Sequence, residues 1–444
     1  MRLHVGIDDT DSPQGGCTTY IAALLIEPLL EIGCQFTGHP ELLRLNPNVP
    51  WKTRGNGAVC LRLEVEDTIE SDARKAVIRA VEEQAEFDCD NTNPGVVFHE
   101  GKIPEGYTCF SDRVVGGVVT LDEAFTLLDE HGGTAVGYKN MRGVIGALAA
   151  VGGLQSGDHT YELLTYRTHE NRGQKRRVDE DSVKYMDAEL GEVTFNNIDT
   201  ETGRVLIAPH GPDPVLYGVR GETPDAVHNA FTFVKTMEPV ERWVIFKSNQ
   251  GTDAHLRQVP RLSDLKPFYP AAVLGEVRKA PWTIQGGHVI FSLGDESADI
   301  DCAAYEPTGG FRDTIRSLVE GDRVRALGGV RSRDHDSRCT LNLEKLELLS
   351  MEREKRLVNP PCSVCGGSME SMGRRKGFRC RKCGHRDSNL ERIEIEVIRD
   401  LETGLYIPPP KAQRHLTKPS VRYGREKKGI VPGTLYESWR WPET

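Results

Sequence analysis

Three carboxylates stand within four positions near the start of the chain, in the sequence GIDDTDSPQGGCTT of residues 6–19. Asp8, Asp9 and Asp11 follow a short apolar run that is typical of a buried strand. Carboxylates this close repel one another unless a cation lies among them. Their oxygens are the ligands that Mg²⁺ prefers, and the bound ion can hold a substrate's phosphates. The cluster therefore predicts a magnesium site for phosphate chemistry. The alternative is that these aspartates only cap a helix or form tight turns.

A glycine loop and the start of a helix follow the carboxylates. Gly15 and Gly16 would let the backbone approach a phosphate closely. Apolar residues at helical spacing predict a helix over 18–32, although Pro28 indicates a break or an early end. Thr18 would lie at its N-terminus, where free N–H groups bind anions. The loop matches neither of the two standard phosphate-binding glycine motifs, so those protein classes do not apply.

Several cations stand beside glycines further along the chain. Lys52 and Arg54 lie in the sequence NPNVPWKTRGNGAV, and Arg220 lies between glycines in PVLYGVRGE. Cations held by glycine-rich turns can bind phosphate or stabilise a charged transition state. Gly143 opens the sequence GVIGALAAVGGL, which predicts a buried helix whose start could also face a ligand. These four residues are candidates for ATP or phosphate binding, and solvated turns are the alternative.

Four of the eleven cysteines form two CxxC pairs, with fourteen residues between the pairs. Cys362, Cys365, Cys380 and Cys383 therefore have the spacing of a zinc ribbon, in which four thiolates surround one Zn²⁺ ion. The other seven cysteines are scattered, which is typical of reduced thiols rather than a disulfide framework.

Charge is unevenly distributed along the chain. Residues 353–444 carry 20 Lys+Arg against 11 Asp+Glu, whereas the whole chain has a net charge of −10. This asymmetry suggests that a polyanion is held mainly by the C-terminal quarter, although basic tails are often only solubilising. The candidate residues for binding such a polyanion are the basic side chains of the predicted ribbon: Arg374, Arg375, Lys376, Arg379, Arg381 and Lys382.

The pattern of apolar residues divides the 444-residue chain into several regions. Residues up to about 260 show a mixed α/β pattern. From about 270, five short β-rich runs, with a helical stretch between the third and fourth, have the order of an OB-fold barrel. After the ribbon, residues 391–401 suggest a helix, and the last 40 residues, rich in proline and basic side chains, predict an irregular arm.

The composition, with 38% hydrophobic and 27% charged residues, is ordinary for a globular protein. No apolar run approaches the roughly 20 residues that a membrane span needs. The N-terminus becomes acidic too early for a secretory signal. We therefore expect a cytoplasmic protein with no membrane partner.

The motifs, taken in order, resemble a known family. The sequences GIDDTDS with GCTTY, KTRGNGAV, TNPG, IGALAAVG, LNLEK, the two CxxC pairs and HL with KP occur in the order found in the archaeal agmatinylcytidine synthetases. The resemblance runs from about residue 1 to 420, and the first two motifs are highly specific.

This resemblance implies a multidomain α+β protein. An ATP-dependent catalytic region over 1–265 would combine an atypical kinase-like α/β domain with a ferredoxin-like domain. An OB-fold β-barrel over 266–351 and a zinc ribbon over 358–388 would follow, with a basic C-terminal helix and arm over 389–444.

The resemblance also implies the chemistry. Members of the family are ligases that modify the wobble cytidine of the AUA-reading isoleucine tRNA, whose anticodon is CAU. They phosphorylate the cytosine carbonyl oxygen, convert ATP to AMP, and let agmatine displace the phosphate. Thr18 matches a threonine that the family autophosphorylates, and Mg²⁺ would lie on Asp8, Asp9 and Asp11. ATP, Mg and Zn are the expected cofactors, with tRNA and agmatine as partners.

Two other functions stay open from sequence alone. The chain could be a non-catalytic RNA-binding protein with an OB-fold and a zinc ribbon, its N-terminal half serving as a scaffold. It could also be an ATP-dependent RNA kinase that acts on another nucleic acid.

Overall fold

The computed structural model describes residues 1–333, 336–430 and 434–442. The N-terminal elements, in chain order, are β1 (Arg2–Asp8), α1 (Thr18–Ile32), β2 (Gln35–Phe36), β3 (Glu41–Arg44), β4 (Gly57–Glu64), α2 (Glu70–Gln84), β5 (Gly95–Glu100), α3 (Glu105–Gly116), α4 (Leu121–His131), β6 (Thr134–Gly137) and α5 (Gly143–Gly152). The elements that follow up to the barrel are β7 (Thr160–Arg167), α6 (Glu180–Leu190), β8 (Thr194–Phe195), β9 (Val215–Gly221), α7 (Pro224–Phe233) and β10 (Val240–Ser248).

The rest of the chain is mostly β-structure. Its elements are β11 (Pro270–Thr283), β12 (Val289–Gly294), β13 (Asp299–Ala304), α8 (Phe311–Arg316), β14 (Arg323–Arg333), β15 (Asp336–Ser350), β16 (Lys355–Val358), β17 (Met369–Ser371), β18 (Phe378–Cys380), β19 (Arg386–Asp387), β20 (Ile393–Glu396), β21 (Gly404–Tyr406) and β22 (Arg440–Trp441). None of the helices in the described ranges is both long enough and apolar enough to cross a membrane.

Strand β1 is packed between helices on both faces of its sheet. Because side chains alternate along a strand, Leu3, Val5 and Ile7 point towards α1 and join its apolar residues in one core. The intervening residues face α5, and a Cβ atom on Gly6 would lie 2.0 Å from the carbonyl oxygen of Ala147. Strand β1 therefore delivers Asp8, its last residue, to the face covered by α5.

Helix α1 runs through Pro28 without ending there, so the expected break is wrong. It ends at Ile32 because Gly33 adopts a left-handed conformation with φ 105°, and its N–H donates to the carbonyls of Leu29 and Leu30. Cys17 occupies the N-cap position.

One continuous sheet runs through residues 1–265, the region for which the sequence predicts catalysis, with β1 to β6 in its first half and β7 to β10 in its second. Strand order is β6-β5-β1-β4-β3-β10-β7-β9-β8, and in addition β2 pairs with β4 and β22 pairs with β10. The halves meet where β3 and β10 pair in parallel. The side chain of Asn249, just after β10, accepts from the N–H of Arg44 at 2.8 Å and donates to its carbonyl at 2.9 Å. This junction fixes the position of one half against the other.

Strands β11 to β15 form a five-stranded barrel with its own apolar core, and α8 lies between β13 and β14. Parallel pairing of β13 with β15 closes it. The predicted OB-fold is therefore confirmed, and the multidomain α+β fold class with it.

The helix expected over 391–401 is wrong. Ile393 and Ile395 alternate with glutamates in a strand, β20, which pairs with β16 in a two-stranded sheet. This sheet is separate from the three-stranded sheet of β17 to β19 in the zinc ribbon. The alternation IEIE has the period of a strand, and β-branched residues favour it.

The C-terminal arm is irregular, as expected, but it packs against the body of the protein. The Arg422 guanidinium is fully buried and pairs with Asp158 at 2.9 Å and Glu222 at 2.6 Å. Trp439 packs its ring on Phe36, with 5.3 Å between the ring centroids.

Candidate active site

A cavity of about 880 Å³ opens where the two halves of the catalytic region, the OB-fold and the C-terminal arm meet. Of the residues predicted for chemistry, seven line it: Asp8, Asp9, Asp11, Thr18, Lys52, Arg54 and Arg220. The structure therefore brings together residues that are up to two hundred positions apart in sequence.

The Asp8 carboxylate fits into a space that α5 leaves open. A Cβ atom on Gly146 would lie 1.8 Å from Asp8 Oδ2. A Cβ on Gly143 would lie 2.4 Å from the Gly95 nitrogen, so this glycine lets α5 approach β5 closely. Gly143 is buried and does not line the cavity. Phosphate binding by Gly143 stays a prediction, because its observed contacts are those of packing.

Asp9 lies one residue beyond the strand, in a left-handed conformation with φ 57°. Its Oδ2 accepts from Arg142 Nη2 at 2.9 Å. Arg142 directly precedes α5 and also lines the cavity. The sharp turn at Asp9 and this ion pair hold the carboxylate beside Asp8.

Asp11 pairs with a predicted cation. Arg54 donates from Nε at 3.0 Å and from Nη2 at 2.6 Å to Asp11 Oδ2. The same Nη2 also donates to the Gly16 carbonyl at 2.5 Å. Arg54 therefore ties the glycine loop to the acidic cluster.

Burial raises the pKa of all three aspartates. For Asp8 the pKa lies well above its usual value, because burial and the neighbouring charges of Asp9 and Asp11 disfavour ionisation. The pKa values of Asp9 and Asp11 are also raised by burial, and Arg142 and Arg54 oppose that effect. A cation would relieve this repulsion, but within the described residues only the four ribbon cysteines converge as closely as a metal site requires. Magnesium binding by Asp8, Asp9 and Asp11 therefore stays a prediction.

Thr18 occupies the first helical position of α1 and is buried. Its hydroxyl makes a 2.9 Å hydrogen bond with the Thr10 hydroxyl. Because Cys17 is the N-cap and makes no side-chain capping bond, Thr18 does not cap the helix through its side chain. The first turn of α1 has no acidic residue, which leaves its positive end open to an anion.

The glycine loop lies to one side of the cavity. A Cβ on Gly15 would meet Glu86 Oε1 at 3.0 Å, and one on Gly16 would meet Glu86 Cγ at 2.7 Å. Gly16 also has a positive φ of 71°. These glycines make room for Glu86, and phosphate contact through them stays a prediction.

Arg220 belongs to a buried ion network. Its Nε donates to Glu162 at 2.9 Å, and Arg44 Nη2 lies 3.6 Å from the same carboxylate. His415 from the C-terminal arm approaches Arg220 Nη2 at 3.1 Å. The charges of Arg44 and Arg220, together with burial and Lys52, hold the pKa of His415 well below its usual value. His415 is therefore neutral and can accept a hydrogen bond.

The four ribbon cysteines converge as the spacing predicts. Their sulfur atoms all lie within 4.8 Å of one another. The Cys362–Cys383 and Cys365–Cys380 sulfur pairs are 3.6 and 3.5 Å apart. A tetrahedral Zn²⁺ site requires sulfur–sulfur distances of about 3.8 Å, so the residues present fit this ion. All six predicted basic side chains of the ribbon are exposed.

Sequence reasoning missed several residues that line the cavity: Arg44, Arg142, Glu162, Asp213, Arg331, Arg414 and His415. Asp213 pairs with Arg176 at 3.2 Å. Burial, followed by the nearby charge of Asp213, raises the pKa of the Cys17 thiol. The signals available were weak. Asp213 directly precedes the sequence PVLYGVRGE, and His415 is the first residue of the HL motif quoted for the resemblance.

Domain families match almost the whole chain. Residues 4–140 match the TiaS TCKD domain, 141–255 the TiaS FLD domain, 271–349 an OB-fold nucleic acid binding domain, and 359–401 the TiaS C-terminal zinc ribbon domain. The boundary between the halves of the catalytic region thus falls at Asn140, immediately before the segment that opens α5.

Archaeal proteins with curated functions are similar over nearly their full length. The isoleucine-tRNA 2-agmatinylcytidine synthetase TiaS of Methanocaldococcus jannaschii is 43% identical over 426 residues, covering 94% of this chain and 98% of that protein. The enzyme of the same name from Pyrococcus horikoshii is 41% identical over 432 residues, covering 97% and 100%.

Solved structures of TiaS proteins are also similar to this chain over nearly its full length. Apo TiaS superposes with a TM-score of 0.85 at 40% identity, covering 97% of this chain and 100% of that one. A TiaS complex with tRNA and ATP has a TM-score of 0.85 at 40% identity, covering 98% and 99%. A complex with tRNA, AMPCPP and agmatine has a TM-score of 0.83 at 38% identity, covering 97% and 99%. This chain therefore belongs to the isoleucine-tRNA 2-agmatinylcytidine synthetase (TiaS) family.

Proposed function

We propose that this chain is an ATP-dependent ligase that transfers agmatine to the wobble cytidine of the isoleucine tRNA with a CAU anticodon. The observation that carries the proposal is the cavity, which brings the three carboxylates, Thr18 and the cations together. The curated relative TiaS of Methanocaldococcus jannaschii supports it, as does the TiaS structure solved with tRNA, AMPCPP and agmatine. The product would contain a new C–N bond at the cytosine ring.

The reaction needs activation of a poor leaving group. The cytosine carbonyl oxygen attacks a phosphorus atom of ATP, so an O–P bond forms as the phosphorus–oxygen bond to the departing group breaks. The agmatine amine then attacks the same ring carbon. The C–O bond breaks, phosphate leaves and the amine loses a proton. ATP ends as AMP.

The acidic cluster serves the first step. Asp8, Asp9 and Asp11 would hold Mg²⁺, which neutralises charge on the ATP phosphates when bound. Arg54 orients Asp11, and Arg142 orients Asp9. Because the pKa values of these carboxylates are raised, a cation that binds them would displace protons and would stabilise the ionised carboxylates.

Thr18 and the cavity cations complete the phosphate site. Thr18 lies at the positive end of α1, where a phosphoryl group can be received or held. Lys52 lines the same cavity, and its ammonium group lies 2.9 Å from the Arg54 carbonyl. We propose Lys52, Arg54 and Arg220 for contacts with phosphate, with Arg220 anchored by Glu162.

The tRNA would be held mainly outside the cavity. The ribbon presents six exposed basic side chains on a small fold that Zn²⁺ stabilises. An OB-fold is suited to single-stranded nucleic acid. We propose that these two parts hold the tRNA while the wobble base leaves its stack to enter the cavity, as enzymes acting on a base require.

Mass analysis of tRNA nucleosides tests the proposal. The purified chain is incubated with CAU-anticodon tRNA, ATP, Mg²⁺ and agmatine, and the transcript with a UAU anticodon serves as the control. We expect agmatinylcytidine only in the CAU transcript and only with ATP and agmatine. Binding without any ATP cleavage would favour the non-catalytic RNA-binding alternative, and a phosphorylated RNA product without agmatine would favour an RNA kinase.

A further inference from the structure

An exposed tryptophan stands at the mouth of the cavity. Trp51 lines the cavity, yet 40% of its surface is exposed, so one part of the indole ring faces the interior and another faces solvent. A large aromatic side chain loses favourable burial by remaining open in this way. Trp51 is not part of the KTRGNGAV motif that immediately follows it.

The ring is held from one side by the OB-fold. The Trp51 and Phe268 ring centroids are 6.3 Å apart, with an interplanar angle of 56°. Phe268 is fixed in turn, because its N–H donates to the Val330 carbonyl at 2.8 Å and its carbonyl accepts from the Asn46 side chain at 2.9 Å. Asn91 donates to the Trp51 carbonyl at 3.2 Å. The indole is therefore positioned on a supported turn.

Three cations from three parts of the chain come together in the cavity that Trp51 lines. Lys52 follows Trp51 directly, Arg331 lies one residue beyond Val330 in β14, and Arg414 comes from the C-terminal arm. All three line the cavity. Arg331 donates to the Asn48 carbonyl at 2.6 Å, and Arg414 donates to the Asn48 side-chain oxygen at 2.6 Å. One residue of the kinase-like domain thus brings both guanidinium groups together.

These cations lack sufficient counter-charge. Within the described ranges, no carboxylate forms an ion pair with Lys52 or Arg331, and Arg414 reaches only Glu344, at 3.5 Å. Burial, followed by the charge of Arg414, lowers the pKa of both Lys52 and Arg331. Cations placed close together without an anion are the usual arrangement for binding phosphate.

We propose that the mouth of the cavity is a nucleotide-entry site, in which Trp51 stacks on a nucleobase while Lys52, Arg331 and Arg414 hold the adjoining phosphate. A base and its phosphate are the shared chemistry of a nucleotide in the tRNA and of ATP. This inference rests on the proposed function, because it supplies the path by which a nucleotide reaches the carboxylates. Stacking on an aromatic ring tolerates any base, and the phosphate contacts would fix its position.

The test compares variants of the full-length chain in two binding assays. One assay uses CAU-anticodon tRNA, and the other uses the ATP analogue AMPCPP without RNA. The variants are Trp51→Ala, Trp51→Leu and Trp51→Phe, with Trp441→Ala as the control because Trp441, on β22, is similarly exposed, at 46%, and does not line the cavity. Arg331→Gln tests the phosphate contact.

We expect Trp51→Ala and Trp51→Leu to weaken one ligand roughly tenfold to a hundredfold, whereas Trp51→Phe stays within about threefold of the wild type. Loss confined to tRNA identifies an RNA nucleotide at the site, and loss confined to AMPCPP identifies the ATP nucleotide. Arg331→Gln should lower the slope of log affinity against log salt by about one for the affected ligand.

Unchanged affinity of Trp51→Ala for both ligands would overturn the proposal. Wild-type affinity in Trp51→Leu would also overturn it, because apolar packing alone would then suffice. A Trp51-dependent loss of tRNA binding in a protein that forms no agmatinylcytidine would leave the entry site standing and reject the proposed function.

Discussion

The Asp8 carboxylate and Gly146 occupy adjoining space, such that a Cβ atom at position 146 would lie 1.8 Å from Asp8 Oδ2. Strand β1 and helix α5 come from distant parts of the chain, and their contact determines where the carboxylate points. The acidic cluster thus depends on a glycine that does not itself take part in the chemistry.

Gly146→Ala should therefore displace Asp8. We expect agmatinylcytidine formation to fall at least a hundredfold, because misplacement of a catalytic group by about an ångström has an effect of that size. Binding of tRNA should persist, since no residue of the ribbon lines the cavity. Near-normal product formation would show that the Asp8 position is not critical.

Asp8→Asn should stabilise the protein at neutral pH in the absence of Mg²⁺. The pKa of Asp8 is raised in the folded state, so the folded protein holds this proton more tightly than the unfolded chain. The contribution of Asp8 to the free energy of unfolding is therefore fully present below about pH 3.9, the pKa of an aspartate in the unfolded chain. It is lost as the pH rises through the higher pKa that Asp8 has in the folded protein.

The asparagine variant should accordingly melt a few degrees higher than the wild type at pH 7, and the difference should vanish near pH 4. Its activity should be abolished at both values. A variant that stays fully active but melts far lower would support a purely structural role for the cluster. Calorimetry across this pH range makes the comparison.

Thr18 can be tested with two substitutions. Thr18→Ala removes the hydroxyl and its bond to Thr10, at a cost of about 1 kcal/mol in stability. Thr18→Ser keeps the hydroxyl. If Thr18 receives or positions the phosphoryl group, serine should retain much of the activity and alanine should lose most of it. Normal turnover in the alanine variant, with no labelled phosphate on Thr18 in the wild type, would reject that role.

Cys380→Ser should release zinc and unfold the ribbon alone. The ribbon has its own small core around Cys362, Met369 and Phe378, separate from the cores of the other domains. We therefore expect the main melting transition to stay unchanged while tRNA affinity falls. Metal analysis that finds one zinc per chain, bound as tightly as in the wild type, would contradict the assignment.

The ribbon hairpin should contribute counterion release. Replacing Arg374, Arg375 and Lys376 by glutamine should reduce the slope of log tRNA affinity against log salt concentration by up to about 2–3. Lys75→Gln is the control, because Lys75 is an exposed cation on α2. An unchanged slope in the triple variant would locate the main phosphate contacts elsewhere.

Local patterns in the sequence were sufficient for several features. The spacing of the four cysteines predicts their convergence, and the order of β-rich runs predicts the barrel, because both depend on neighbours within one domain. Asp8, Asp9, Asp11 and Thr18 lie within one strand–loop–helix unit, so their proximity also follows from local structure.

Long-range contacts could not be predicted in the same way. The contact between Arg220 and His415 joins residues 195 positions apart, and the pair Asn48–Arg414 spans 366. The composition of the arm does not indicate that it returns to the cavity, and the one available signal is the presence of His415 in a motif of the family resemblance. The proline-rich, basic composition of the arm is typical of a solvated tail, whereas contacts distant in sequence hold it in place, among them the buried ion pairs of Arg422 and the packing of Trp439 on Phe36.

The most direct test follows the oxygen of the wobble cytosine. A CAU-anticodon tRNA carrying oxygen-18 at that carbonyl is incubated with the chain, ATP and agmatine, and the phosphate released is analysed by mass spectrometry. The account predicts that oxygen-18 appears in phosphate in the same amount as agmatinylcytidine is formed. Agmatinylcytidine formed without oxygen-18 in phosphate would contradict phosphorylation of the carbonyl oxygen.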